Sequence, residues 1–342
     1  MQRCLDLALL GAGHTAPNPI VGAVLVYEDR IIGEGYHQQY GHPHAEVNCV
    51  NSVLPEDEAL ISKSTLYVSL EPCVHFGITP PCTDLILKKN IPEVVVACRD
   101  SYDEVNGKGI EKLRAAGVNV ITNIMENEAL ELNRRFFTFH RYKRPYIILK
   151  WAETRDGKIS SGDKERTFIS NEYSNRLVHK WRTEEAAIMV GTNTALLDNP
   201  ALTARLWPGK DPVRIVIDMQ LKLPASLKLF DGTVNTIVFN QIKQEEAGMI
   251  AYYKVEMDGP IVPQILEVLY QLRLQSVLVE GGAKLLQSFI DEGLWDEARV
   301  ICNRQLTISN RQAVDAPRLP NEYLVQTQEI ETDIIKIYQH QH

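Results

Sequence analysis

Apolar residues fall in short blocks separated by polar turns along most of the 342-residue chain. Residues 20–37 hold two apolar runs joined at Glu28-Asp29-Arg30, which predicts a β-hairpin. A helical stretch follows from about His44 to Val53, then a strand over 64–70. A loop rich in Pro and Gly leads to a helix over 82–90 and a strand over 93–100. Residues 109–122 add one more helix and strand. Strands alternating with helices in this way predict a three-layer α/β sandwich.

The pattern changes near Arg134–Arg144, where a basic and aromatic segment joins a helix over 126–133 to a strand over 145–152. A Pro after a basic run reads as a linker, although its aromatics suggest that the segment packs on something; a domain boundary is expected close to residue 143, giving domains 1–143 and 144–342. The second part is α/β again. Strands are expected over 145–152, 186–192, 213–219, 235–240 and 276–282, and helices over 171–184, 262–274 and 283–293. The chain shows no internal repeat and no low-complexity segment.

Composition adds bounds. Apolar residues make up 44% and charged residues 23%, ordinary for a soluble globular protein and enough for two cores. A formal charge of −8 gives no general electrostatic reason to bind nucleic acid. The apolar stretch over 5–13 carries Asp6 and runs into a Pro/Asn turn, so it is read as a folded helix and not a signal peptide. No run approaches the roughly 18 apolar residues of a membrane span. Six cysteines in a chain this long do not form a disulfide framework, and a reduced, cytoplasmic protein is expected, with Cys4, Cys49, Cys98 and Cys302 in packing roles.

The strongest chemical signal is Pro43-His44-Ala45-Glu46, then Leu70-Glu71-Pro72-Cys73, then Pro80-Pro81-Cys82. One imidazole and two thiolates suit tetrahedral zinc and leave a fourth position for water, whose pKa the metal lowers. Glu46 is placed to move a proton without ligating the metal. A closed structural zinc site, with His75 or His42 as fourth ligand, stays open at this point, as does a pair of buried cysteines. His-x-Glu followed by two such cysteines is the pattern of zinc nucleobase deaminases, although eight residues separate Cys73 from Cys82 where those enzymes usually have two.

Further residues carry a resemblance. Pro17-Asn18-Pro19 with Val21-Gly22-Ala23-Val24, Gly33 with Gly35-Tyr36-His37, Pro43 to Val47, and 70–82 with its eight-residue spacing resemble the deaminase half of the bifunctional riboflavin deaminase–reductases. Asp100, Gly107-Lys108-Gly109 and Leu132-Asn133-Arg134-Arg135-Phe136 continue it across the first domain. The resemblance implies a cytidine-deaminase-like fold, zinc on His44, Cys73 and Cys82, Glu46 as the catalytic carboxylate, and substrate contacts at Asn18, His37, His75 and Asp100. The implied reaction is hydrolytic loss of the ring amine from a diaminopyrimidinone ribosyl phosphate. Two positions depart from the family: Ile78 stands where a Lys or Arg is usual, and Asp100-Ser101-Tyr102-Asp103 replaces Asp-Pro-Asn-Pro. A charge-assisted bond to phosphate is worth about 1.5–3 kcal/mol, so its loss at Ile78 is expected to weaken binding and leave hydrolysis in place.

The second half lacks Gly-x-Gly-x-x-Gly, and its strand ending at Glu280-Gly281-Gly282 opens into a helix whose N–H groups suit a phosphate. With Leu149-Lys150-Trp151-Ala152, Asp156-Gly157-Lys158-Ile159, Val190-Gly191-Thr192 and Asp198-Asn199-Pro200, it resembles the riboflavin-pathway reductase, implying a dihydrofolate-reductase-like fold. The resemblance implies NADPH contacts at Ala152, Thr194, Asp198 and the turn Gly282, Ala283, Lys284, Leu285, Leu286, Gln287 and Ser288. It places substrate at Arg182, Leu202, Arg205 and Glu280, and implies hydride transfer that turns ribosyl into ribityl. Phe168-Ile169-Ser170-Asn171 and Asn303-Arg304-Gln305-Leu306 depart from the family's pattern. The main alternative is a reductase whose deaminase half is a scaffold or acts on another nucleobase; a nucleic-acid editing deaminase would need a basic channel and a shorter cysteine spacing. A homo-oligomer is in keeping with the family.

Overall fold

Contacts divide the chain into two compact units, Met1–Lys143 and Arg144–His342. The computed structural model describes residues 1–77, 80–102, 105–163, 167–256, 258–320 and 323–340. Ile78 and Asp103, two of the positions that depart from the family pattern, lie outside the described residues.

The first unit opens with helix α1 (Gln2–Leu9), the hairpin β1 (Gly22–Tyr27) and β2 (Arg30–Tyr36), and helix α2 (Ala45–Asn51). Glu28 takes a left-handed φ of 51° in the hairpin turn. Then come β3 (Thr65–Leu70), α3 (Cys82–Lys88), β4 (Glu93–Cys98), α4 (Lys108–Ala115), β5 (Asn119–Ile121), α5 (Glu126–Leu132) and α6 (Arg134–Tyr142). The sheet order is β2-β1-β3-β4-β5. β1 runs antiparallel to both β2 and β3, whereas β3, β4 and β5 are parallel, as the crossover helices α3 and α4 require. Ala45, Cys49, Ile86, Ile110 and Leu113 pack α2, α3 and α4 on one face, and α1, α5 and α6 cover the other with Cys4, Leu5, Ala129, Phe136 and Phe137.

The segment expected as a linker is helical. α6 turns Phe136, Phe137 and Phe139 inward, leaves Arg134, Arg135 and His140 half-buried and Arg141 exposed, and Lys143 ends it with a left-handed φ of 54°. Its buried residues Phe136-Phe137-Thr138-Phe139 are consecutive and show no helical spacing, and the basic residues flank them on both sides.

The second unit begins with β6 (Tyr146–Glu153), β7 (Lys158–Ser160), α7 (Glu172–Glu184), β8 (Ala187–Gly191) and α8 (Thr192–Asp198). β9 (Val213–Ile217), β10 (Thr236–Asn240), β11 (Glu245–Ala247), β12 (Ile250–Lys254) and α9 (Ile261–Gln271) follow. β13 (Ser276–Val279), α10 (Ala283–Asp291), β14 (Glu297–Asn303), β15 (Val314–Asp315), β16 (Tyr323–Ile330) and β17 (Asp333–Gln339) complete it. The large sheet has the order β11-β12-β10-β9-β8-β13-β6-β14-β17-β16. α9 and α10 pack on one face through Ile265, Leu266, Leu269, Leu286 and Phe289, and α7 and α8 on the other through Val178, Trp181 and Ala195.

The first unit therefore has the expected three-layer α/β arrangement, and the second, expected as α/β, likewise carries helices on both faces of its sheet. Expectation missed β14 because two of its buried side chains are charged, Glu297 and Arg299, paired by Arg299 Nε donating to Glu297 at 2.5 Å. It missed β16 because that edge strand has hardly any buried face to impose alternation. No helix among the described residues is long and apolar enough to cross a membrane.

Candidate functional site

In the first unit the sheet delivers three ligand-type side chains to one point. His44 is the extended residue that opens α2 (φ −70°, ψ 168°), Cys73 lies just past the end of β3, and Cys82 is the first residue of α3. His44 Nδ1 stands 3.5 Å from Cys73 Sγ and 3.4 Å from Cys82 Sγ, and all three donor atoms lie within 4.8 Å of one another. No fourth His, Cys, Asp or Glu joins this set among the described residues, so neither His42 nor His75 closes it. The Cys82 N–H donates to Cys73 Sγ at 3.3 Å, a bond that favours thiolate.

The electrostatics ask for a cation. Donation from Cys82 and from His44 outweighs burial and holds the Cys73 thiol down at about 4. Cys82 is pushed up by the Cys73 thiolate beside it and by its own burial. Without added positive charge the two sulfurs share one proton; a divalent ion relieves that repulsion and lets both ionise. The donor set thus fits zinc with an open position.

Glu46, on the first turn of α2, is only 4% exposed, and its burial and the Cys73 thiolate raise its carboxyl pKa. His37 is buried with its ring 5.3 Å from that of His44; its Nδ1 pairs with the Pro43 carbonyl at 3.1 Å and its Nε2 with the Asn18 amide at 3.2 Å. Burial lowers its pKa, favouring the neutral ring. Asn133, noted in the sequence only as part of a motif, holds this corner: its amide donates to the Ile20 carbonyl and accepts from the Ile20 N–H, both at 2.9 Å. The buried Nδ1 of His75 has no hydrogen-bond partner among the described residues, and its ring lies 5.9 Å from that of Tyr102. Asp100 is buried, which pushes its carboxyl up to about 7 despite donation from the Tyr102 N–H at 2.8 Å.

In the second unit, two helices start side by side at the ends of β8 and β13. Gly191 N–H donates to the Gly281 carbonyl at 2.9 Å, and Thr194 Oγ1 lies 3.2 Å from where a Cβ on Gly282 would sit. Neither α8 nor α10 has a side-chain cap, so first-turn N–H groups of both point out at this corner. Thr194 lies on the first turn of α8 and Asp198 ends it, and Gly282 to Ser288 open α10, with Lys284 exposed and Leu286 turned into the core. Ala152 is half-buried on β6.

Arg182 and Glu280 come together, but with each other: Nε and Nη2 of Arg182 meet the two carboxylate oxygens at 2.9 and 2.8 Å, and Nη1 donates to the Thr203 carbonyl. Lys150 Nζ is 3.9 Å from Glu280. Leu202 is buried with a φ of 53°, and Arg205 is exposed. His179, half-missed by periodicity because it sits in a polar-looking helix, is buried beside this cluster; burial, then Arg182 and Arg205, bring its pKa down to about 4.

Comparison with known proteins follows this division. Residues 1–98 match the family model for the cytidine and deoxycytidylate deaminase zinc-binding region, and residues 145–333 match the RibD C-terminal domain. The riboflavin biosynthesis protein RibD of Aquifex aeolicus is 42% identical over 301 residues, covering 86% of this chain and 83% of that protein. The Bacillus amyloliquefaciens RibD is 38% identical over 306 residues, covering 87% and 81%. Among solved structures, a diaminohydroxyphosphoribosylaminopyrimidine deaminase/5-amino-6-(5-phosphoribosylamino)uracil reductase of Thermotoga maritima superposes with a TM-score of 0.89 at 34% identity, covering 99% of this chain and 97% of that one. With a zinc donor set in one half and a reductase domain in the other, the chain belongs to the RibD family of riboflavin biosynthesis, bifunctional enzymes that join a zinc-dependent deaminase to an NADPH-dependent reductase.

Proposed function

We propose that residues 1–143 deaminate 2,5-diamino-6-(ribosylamino)pyrimidin-4-one 5'-phosphate and that residues 144–342 then reduce its ribosyl group to ribityl. The observation that carries the first step is the open His44–Cys73–Cys82 donor set with the buried Glu46 carboxyl beside it. Zinc, when bound by His44, Cys73 and Cys82, supplies Lewis acidity that lowers the pKa of water at the open position. Glu46 takes a proton from that water and delivers it to the leaving ring amine, which departs as ammonia while the ring carbon gains oxygen. Asn18, held by the neutral His37 ring, presents its remaining amide groups to the base, His75 offers its unpartnered Nδ1, and Asp100 faces the phosphoribose.

For the second step, NADPH supplies the hydride. The first-turn N–H groups after Gly282 and around Thr194 receive its phosphates, with the helix dipoles adding to the attraction, and Ala152 and Asp198 line the same edge. Arg205 is the exposed guanidinium for the substrate phosphate. Arg182 acts through Glu280, orienting a carboxylate that accepts a substrate hydroxyl, and Leu202 bounds that pocket. A cytoplasmic setting, which keeps thiols reduced, suits the ligand cysteines, and a homo-oligomer belongs to the same proposal on the family resemblance.

The test is a split assay on zinc-loaded protein, following ammonia release and NADPH oxidation separately. The diamino substrate is expected to give ammonia without NADPH, and oxidation only when NADPH is added. Glu46→Gln is expected to slow ammonia release by roughly 10²–10⁴-fold while oxidation with the pre-deaminated substrate stays unchanged. A chelator is expected to act like that substitution. Oxidation with pre-deaminated substrate but no ammonia from the unaltered chain would make the first unit a scaffold or a deaminase of another nucleobase.

A further inference from the structure

Glu71 is a buried carboxylate, 3% exposed, immediately before the Pro72-Cys73 ligand segment, and the deaminase chemistry above gives it no task. Its main chain is fixed to the sheet, the N–H donating to the Cys98 carbonyl at 3.0 Å. Its side chain crosses to a different segment. Oε2 accepts from the N–H of Asp100 at 3.2 Å and of Gly107 at 2.9 Å, and Oε1 accepts from Gly109 at 3.0 Å and Ile110 at 3.2 Å. All four donors are backbone groups. Three of them belong to the start of α4, whose N-cap residue Gly107 has no side chain to cap it, so Glu71 caps it from another part of the chain. The approach is close enough that a Cβ on Gly109 would stand 2.1 Å from the Pro72 carbonyl oxygen.

We propose that Glu71 is a positioning residue: it locks the described part of the Asp100–Ile110 wall onto the segment that carries Cys73, and so sets the distance between the metal ligands and the phosphoribose end of the substrate. The proposal rests on the deaminase reading of this site. Because the bonds run to main-chain N–H groups, the wall can change side chains, as at Tyr102, without losing its anchor. A carboxylate is needed and an amide does not replace it, since the NH2 group of Gln cannot accept and leaves two of the four donors without a partner.

The test uses full-length, zinc-loaded Glu71→Gln, with Glu71→Ala as a second variant, and reads amide hydrogen exchange alongside kinetics. The expected result for Glu71→Gln is faster exchange at Gly107, Gly109 and Ile110, a deaminase KM raised by roughly tenfold or more, a smaller change in kcat, and an unchanged reductase rate. If Glu71→Ala does not fold, Glu71→Gln carries the test. Unchanged exchange at these amides overturns the proposal. So does a loss confined to kcat in proportion to the inactive fraction, which is what a merely structural carboxylate would give. Absence of ammonia release from the unaltered chain would remove the deaminase reading instead; the exchange rates would still decide whether Glu71 holds the wall.

Discussion

At the scale of single residues, Glu280 of the second unit is a buried carboxyl held ionised by its neighbours. Burial alone would raise its pKa, but Arg182 and Lys150 outweigh it and hold the carboxyl at about 2 against an ordinary 4.5. A carboxyl depressed by folding stabilises the fold above its unfolded pKa, and that contribution fades as pH falls from about 4.5 through about 2, at up to ~1.4 kcal/mol per pH unit. The stability difference between the unaltered chain and Glu280→Gln, measured by denaturant titration, is therefore expected to be full above pH 5 and to shrink steadily below it. A difference that stays flat down to pH 2 would mean that the pair is not formed as an ion pair. The sequence offered both residues as substrate contacts by resemblance; that their first partners are each other could not be read from positions 98 residues apart.

Elements show where patterning carries information and where it is overwritten. The hairpin, the strands over 64–70 and 93–100, and the helix from Ala45 were legible because one face of each meets a core and the apolar period is plain. α6 was not, since its inward residues, Phe136 to Phe139, are consecutive and flanked by Arg and His, so no helical period shows. Phe137, 5% exposed and packed with Leu5, Leu70 and Cys98, makes the point testable. Phe137→Ala is expected to destabilise the first unit by about 3–5 kcal/mol in chemical denaturation, with a cavity left at the base of α6. A cost near zero would return the segment to the surface linker that its composition suggests. The paired helix starts of α8 and α10 lie between these cases: the glycines of α10 were visible, but α8 is too short to announce itself beside them.

For the whole molecule, one chain carries two separate cores and two chemistries whose order is fixed by substrate, the product of hydrolysis being what the reductase half consumes. The proposed homo-oligomer is testable at this scale. Sedimentation velocity at micromolar concentration is expected to give a mass above that of a single chain, and a single monomeric species would remove the oligomer while leaving both activities standing.

The sequence by itself determined the donor types for zinc, the glutamate next to them, the α/β layering and the family, because these depend on residue identity at fixed spacing and on periodicity. Only the tertiary structure decided that His44, Cys73 and Cys82 meet within 4.8 Å, that no fourth ligand closes the set among the described residues, and that Arg182 is taken by Glu280. It alone decided that Glu71 reaches the N–H groups of α4. Such contacts join segments tens of residues apart, and their existence depends on how strands register and helices cross, which no local pattern encodes.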